Sequence, residues 1–142
     1  MAGARRLEDL DTWQLARELK EKVYAFTETG PAAQDMDFRR DIRRVARSAP
    51  HNTAEGFYRY SPGDFAQFLN IARGSLGEVR DQIQHALDEN YLSKSAFAEL
   101  RQLVDRAIGA NTSLQAYLRA APSYFDRPRS RKHRANPNAR NR

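Results

Sequence analysis

Three histidines and a scattering of carboxylates are the residues of this chain that could do acid–base or metal chemistry. His51, His85 and His133 fall in separate segments. His85 and Asp88 stand three apart, with Asp81 four residues before His85, so a helix would put one imidazole and two carboxylates on neighbouring positions of one face. That is half of a metal site. Dinuclear sites of helical bundles take a Glu-x-x-His pair from each of two helices plus two further carboxylates, and no second pair occurs. The absence of cysteine removes thiolate ligands, thiol nucleophiles and disulfides. No phosphate-binding loop, Gly-rich strand–helix turn or Ser-His-Asp arrangement is found. The expectation is a chain that is not an enzyme, with no catalytic residue, metal or cofactor. Glu55 is the one carboxylate that a remote hydrolase reading could use.

The arginines are better ordered. Arg40, Arg43, Arg44 and Arg47 fall at i, i+3, i+4 and i+7, which on a helix is one face, away from Ile42, Val45 and Ala49. Arg39 sits beside them. Two readings compete: a solvated face with ion pairs to Asp35, Asp37 or another helix, and a surface that contacts phosphates. The C-terminus favours the second. From Pro122 to Arg142 there are seven cationic side chains, among them Arg127, Arg129, Arg131, Lys132 and Arg134, against Asp126 alone. The tail therefore carries the whole net charge of +6, and residues 1–121 are neutral with 17 basic and 17 acidic side chains. A like-charged, proline-containing arm of this kind is expected to be disordered and to serve in interaction. Arg pairs bidentately with phosphate, and Tyr124 and Phe125 offer rings for stacking on bases. No base-reading motif is present, so contact with RNA or DNA would be electrostatic and sequence-independent.

The elements that must position these residues read as helices. Leu10, Trp13, Ala16, Leu19, Val23 and Phe26 draw one apolar stripe over about 12–29, capped by Asp11 or Thr12 and stopped by Gly30-Pro31. A second helix, about 35–58, carries Phe38, Ile42, Val45, Ala46 and Ala49. Pro50 lies within it and predicts a kink or break, which Asn52 would support by bonding the freed carbonyls. Ser61-Pro62-Gly63-Asp64 opens a third, whose Phe65, Leu69, Ala72, Leu76, Val79, Ile83 and Ala86 step by fours and threes. Gly74, Ser75 and Gly77 are small enough to let another backbone approach. The fourth, capped by Ser93 or Ser95, steps through Phe97, Leu100, Val104, Ala107, Asn111, Leu114 and Leu118 to Ala121-Pro122. Asn111 either fixes register as a buried polar residue or marks the boundary of the core, and the boundary is the preferred reading. Phe68, Ile71 and Leu87 widen the third stripe, and Leu103, Ile108 and Tyr117 the fourth, as either a broad core or a subunit interface would require. Glu55 is expected to pair with an arginine of a neighbouring helix, such as Arg73.

The chain is thus expected to be all-α, an antiparallel up-down four-helix bundle with a kinked second helix and a disordered basic C-terminal tail. It divides into an N-terminal arm (1–9), a bundle (10–121) and a tail (122–142). No run of about 18 apolar residues occurs and the N-terminus has no apolar signal, so no membrane partner is expected and a cytoplasmic location is the default expectation.

Residues 47–56, RSAPHNTAEG, and 59–78, RYSPGDFAQFLNIARGSLGE, with DLDTWQLARELKEKVYAFT upstream, resemble the small four-helix-bundle proteins encoded in intervening sequences of large-subunit ribosomal RNA genes. These are distant relatives of the accessory variability determinant proteins of diversity-generating retroelements. The resemblance spans about Leu7 to Ala121. It rests on Ser48, Pro50, Asn52, Ala54, Glu55 and Gly56, and on Phe65, Phe68, Leu69, Ala72, Gly74, Ser75 and Glu78. Thr53 departs from the usual Ile or Val. What it implies is a ring-like homopentamer without catalytic activity, in a family largely of unknown function whose retroelement relatives bind nucleic acid and a reverse transcriptase. The functional expectation is an oligomeric binding protein that contacts RNA or DNA phosphates. The alternative is a protein-interaction scaffold with no nucleic-acid role and a protein partner of unknown identity.

Overall fold

A computed structural model of the chain describes residues 5–59 and 61–120. The tail, with Arg127, Arg129, Arg131, Lys132 and Arg134 and its expected disorder, lies outside the described residues. Within them the chain is all-helical: a 3-10 turn at Leu7–Asp9, then α1 (Asp11–Phe26), α2 (Gly30–Gln34), α3 (Met36–Phe57), α4 (Pro62–Asp88) and α5 (Lys94–Ala120). The four long helices pack as a bundle in which α3 touches α1 and α4, and α5 touches α4 and α1.

Local chemistry sets the boundaries. The N-cap of α1 is Leu10, which has no capping side chain. Thr12, one of the expected caps, is instead buried one turn in, with its hydroxyl 3.4 Å from the Ala107 carbonyl. At the other end Thr27 donates to the Val23 carbonyl at 2.8 Å. Gly30 does not merely stop the chain: with φ +72° it opens the five-residue α2 that sequence periodicity missed. Ser61 accepts from the Asp64 N–H and Ser93 from the Ala96 N–H, so both polar caps act as expected.

The core forms two hydrophobic clusters. The larger collects Leu19, Val23, Ile42, Val45, Leu76, Val79, Ile83 and Val104; the smaller joins Leu10, Phe65, Leu69, Leu114 and Leu118 to Leu7. Leu7 falls within the expected N-terminal arm, yet it is buried here. Asn111 corrects the boundary reading. It is fully buried, donates to the Leu69 carbonyl at 2.9 Å and accepts from Gln115 Nε2 at 2.7 Å. A buried amide without partners would cost about 1–3 kcal/mol, and this one is satisfied.

Pro50 does not break α3, which is continuous from Met36 to Phe57. The residues after it back-bond to the turn before: Asn52 Nδ2 donates to the Ser48 carbonyl at 2.8 Å and Thr53 Oγ1 to the Ala49 carbonyl at 2.9 Å. Asn52 therefore does not serve the Ala46 carbonyl that proline leaves without its N–H, the role expected of it. Thr53, a departure from an apolar residue, is buried at no polar cost because its hydroxyl is satisfied within its own helix.

Asp35 ties two ends of the bundle together. Its Oδ1 accepts from the Phe38 N–H at 3.1 Å, and its Oδ2 accepts from the Tyr91 hydroxyl at 2.7 Å across the α4–α5 turn. The Tyr91 bond first, and the Phe38 bond second, hold the Asp35 carboxyl below its ordinary value, while the same bond followed by burial pushes the Tyr91 phenol up.

Two outcomes are expected. A Cβ at Gly56 would stand 2.7 Å from Phe68 Cβ and 3.2 Å from the Phe65 carbonyl oxygen, so Gly56→Ala should destabilise by about 1–3 kcal/mol in urea denaturation. The Asp35 carboxyl, lowered in the native state, stabilises fully above the unfolded carboxylate range near pH 4 and loses that stabilisation as pH falls through the native value. Tyr91→Phe should therefore melt below the wild type at about pH 7 and converge with it toward about pH 2. A gap that is constant with pH would contradict this linkage.

Candidate nucleic-acid interface

The five arginines of α3 are brought together, but they do not share one environment. Arg43 and Arg44 are successive residues, about 100° apart around the helix, and α1 packs on the Arg43 side. Arg43 has only 16% of its side chain exposed. Its Nε donates to Thr27 Oγ1 at 2.8 Å, and its Nη2 donates to the Tyr24 carbonyl at 3.1 Å and to Glu28 Oε2 at 2.9 Å. The guanidinium also lies over the Tyr24 ring, 4.5 Å from its centroid. Every one of these contacts is with the last turn of α1 or the residues just after it, where free carbonyls and the negative end of the helix dipole favour a cation. Arg43 is thus a strut between α1 and α3, and its place in a solvated stripe is corrected.

The neighbours are graded. Arg39 leans on Glu28 at 3.9 Å. Arg47 donates to the Tyr24 hydroxyl at 2.9 Å, which positions the guanidinium without neutralising it. Arg40 stands 3.9 Å from Asp37, with both side chains largely exposed, a pair worth about 0–1 kcal/mol. Arg44 is exposed and has no carboxylate within ion-pairing distance among the described residues. Arg40, Arg44 and Arg47 are therefore the cations of this face available to an external anion. Sequence reasoning missed Tyr24, Thr27 and Glu28 as the residues that sort the stripe, because contacts between helices leave no mark on the periodicity of either one.

The motif residues divide between seam and surface. Ser48 and Ser75 share a hydrogen bond of 2.8 Å across α3 and α4, and Asn52 Nδ2 donates to Ser48 Oγ at 2.9 Å. With Pro50 and Gly56 buried beside them, these groups join the two helices. Glu55 pairs with Arg59, four residues on at 2.8 Å, and not with Arg73. Gly74 and Gly77 are exposed, and a Cβ on either would meet nothing within 4 Å. They do not serve packing inside this protomer. Glu78 is also exposed. A shallow recess lined by His51, Ala54, Glu55, Tyr58 and Arg59 lies toward the C-terminal end of α3. His85 stacks with Phe38 and Tyr91, while Asp88 accepts from Gln84 at 3.0 Å. Among the described residues no group of three or more His, Asp or Glu side chains is placed to hold a metal ion, and no helix is long and apolar enough to cross a membrane.

Residues 8–112 match the family described as 23S rRNA-intervening sequence protein. The chain belongs to that family. A comparison with curated proteins finds no match. Among solved structures the fold is similar to that of a protein of unknown function from the S23 ribosomal protein family of Bacteroides thetaiotaomicron, with a TM-score of 0.68 and 16% identity over 74% of this chain and 95% of that one. At that identity the likeness concerns the fold alone, and it extends over almost all of the neighbour's length.

Arg43 and Arg44 should behave oppositely on substitution. Arg43→Gln removes the strut and should cost about 1–3 kcal/mol in urea denaturation, whereas Arg44→Gln should stay within about 0.5 kcal/mol of the wild type. Equal effects would mean that Arg43 is not held against α1.

Proposed function

We propose that this family member is a non-catalytic, cytoplasmic, oligomeric protein that contacts RNA or DNA phosphates through the exposed arginines of α3 and through its basic tail. The observation that carries the reading is the sorting of the α3 arginines. Arg39 and Arg43 are spent on α1, while Arg40, Arg44 and Arg47 are left outward on a rigid helix with a spacing that follows one face. Arg47 is positioned by Tyr24, the planar guanidinium fork is pre-organised for phosphate, and a tail carrying +6 adds long-range attraction. The family description refers to intervening sequences of 23S rRNA, which accords with an RNA context. Self-association is supported by exposed features that the protomer leaves uncovered on α4, Ile71, 45% exposed, beside Gly74; a pentamer is what the family resemblance implies. The same features support the second reading, a scaffold that binds only protein.

Fluorescence anisotropy with a short RNA and a short DNA duplex across a salt series tests the first reading. For every phosphate that is no longer neutralised, the slope of log K against log salt should flatten by about 0.9 on duplex and about 0.7 on single strands. Deleting residues 122–142 should weaken binding and flatten the slope together. Changing Arg40, Arg44 and Arg47 to Gln should weaken binding with the tail intact and leave the melting temperature almost unchanged. No binding by the full chain at low salt would sink the nucleic-acid reading. Dissociation of the oligomer by the triple variant, read by light scattering, would turn these arginines into interface residues and favour the scaffold.

A further inference from the structure

Two cross-helix contacts on the seam between α4 and α5 sit one heptad apart and differ in one residue. Arg80 Nε donates to Asp105 Oδ1 at 2.7 Å, and Arg101 adds a second cation 3.8 Å from the other oxygen of that carboxylate. Seven residues earlier on α4 and seven later on α5, Arg73 Nε donates to Thr112 Oγ1 at 3.1 Å. The position that holds a carboxylate in the first contact holds a hydroxyl in the second. Arg73 is therefore oriented by the seam but not neutralised, and its two terminal nitrogens are left to other partners. Arg119 stands seven residues beyond Thr112 on the same exposed flank of α5. Among the described residues no carboxylate lies within 4.0 Å of either guanidinium.

Arg73 and Arg119, with Asn70, Thr112 and Gln115, line one notch of about 230 Å³. Gln115 is itself fixed. Asn111 spends its amide N–H on the Leu69 carbonyl, so its oxygen must accept, and Gln115 Nε2 donates to it. The notch wall is thus braced from the core outward. Its lining offers two uncompensated guanidinium groups and the Asn70 amide, and no carboxylate. Its size is below the roughly 300–1,000 Å³ of cavities that enclose a small-molecule ligand. It suits one tetrahedral anionic group of a ligand that otherwise runs over the surface. The sequence continues from Arg119 directly into the segment that carries the +6 charge, which favours a polyanion over a lone ion at this end of α5.

We propose that the Arg73–Arg119 notch is a second phosphate-binding site, one helix away from the α3 face, that takes a phosphodiester group of an RNA strand. This rests on the nucleic-acid reading above, and it locates a contact which that reading does not contain. The natural control is written into the seam: Thr112→Asp would repeat the Arg80–Asp105 pair at Arg73 and neutralise the notch without removing a packing group.

The experiment uses the full chain. Inorganic phosphate is titrated while the side-chain Nε–H resonance of Arg73 is followed by NMR, and a short single-stranded RNA is titrated by anisotropy. Phosphate should shift the Arg73 resonance saturably in the wild type and in Arg44→Gln. The shift should vanish in Thr112→Asp, whose melting temperature should equal or exceed that of the wild type. Arg73→Gln and Thr112→Asp should each weaken RNA binding by up to about tenfold, as expected for one charge-assisted contact. Gln102→Glu, which adds a negative charge on exposed α5 away from the notch, should change it by less than about twofold. A linear, unsaturable shift at Arg73, or a saturable one retained in Thr112→Asp, overturns the site. Saturation by phosphate with unaltered RNA affinity in both notch variants overturns the strand and leaves free phosphate as the ligand. RNA binding that is equal in all variants, with no saturable phosphate shift at Arg73, overturns the notch alone, whereas no RNA binding by the wild type overturns the nucleic-acid reading with it.

Discussion

The tightest constraint in this bundle is the approach of α3 to α4 at Gly56. The backbone there lies against Phe65 and Phe68 with no room for a methyl group. That contact fixes how the two helices slide past one another. Two turns earlier it brings Ser48 opposite Ser75, where a hydroxyl pair closes the seam at 2.8 Å. It also fixes the rotation of α3. Ile42, Val45 and Ala49 face inward, Arg39 and Arg43 come against α1, and Arg40 and Arg44 are left toward solvent. The chemistry of the outer face is thus decided by packing on the inner one. Close packing of this kind deforms little, which is what a surface of fixed charges requires.

The helical stripes were legible because burial imposes its period on each helix independently. Leu19 and Val23, Ile42 and Val45, and the Phe65 to Ala86 series all lie where their spacing put them. Ser61 and Ser93 were legible as caps because a cap is a local interaction. What failed depended on a second helix or on a local exception. Pro50 predicted a kink or break, and of the two the break does not occur, because a helix packed on both flanks runs on through it. Asn111 looked like a boundary residue because its partners, the Leu69 carbonyl and Gln115, are fixed only when α4 and α5 meet. Gly74 and Gly77 looked like contact points, and within the protomer nothing lies against them, since small residues do not say which side of a helix another backbone will take. The α3 arginines were found as a group and mis-sorted within it, for the same reason.

Formal charge and available charge differ throughout this molecule. Arg43 counts as one positive charge, yet it is consumed by a carbonyl, a hydroxyl, a carboxylate and an aromatic ring. Arg80 and Arg101 share Asp105. Arg59 is held by Glu55. A neutral body with 17 cations therefore presents fewer to an external anion than its formal charge counts, and Arg44, Arg47 and Arg73 are among those with no carboxylate within 4.0 Å among the described residues. Arg44 and Arg73 are alike in this respect, although one was conspicuous in the sequence and the other was not.

Asp35 has a consequence for motion. One oxygen caps the first turn of α3 and the other holds Tyr91, so a single carboxylate links that turn to the connection between α4 and α5. Helix ends ordinarily fray one at a time and independently. Here the opening of either end releases a hydrogen bond of the other, and Phe38, which stacks on Tyr91 with ring centroids 5.2 Å apart, is carried along. Two sites 56 residues apart in sequence are thereby joined into one cooperative unit, whose amides would exchange with solvent together instead of in separate steps.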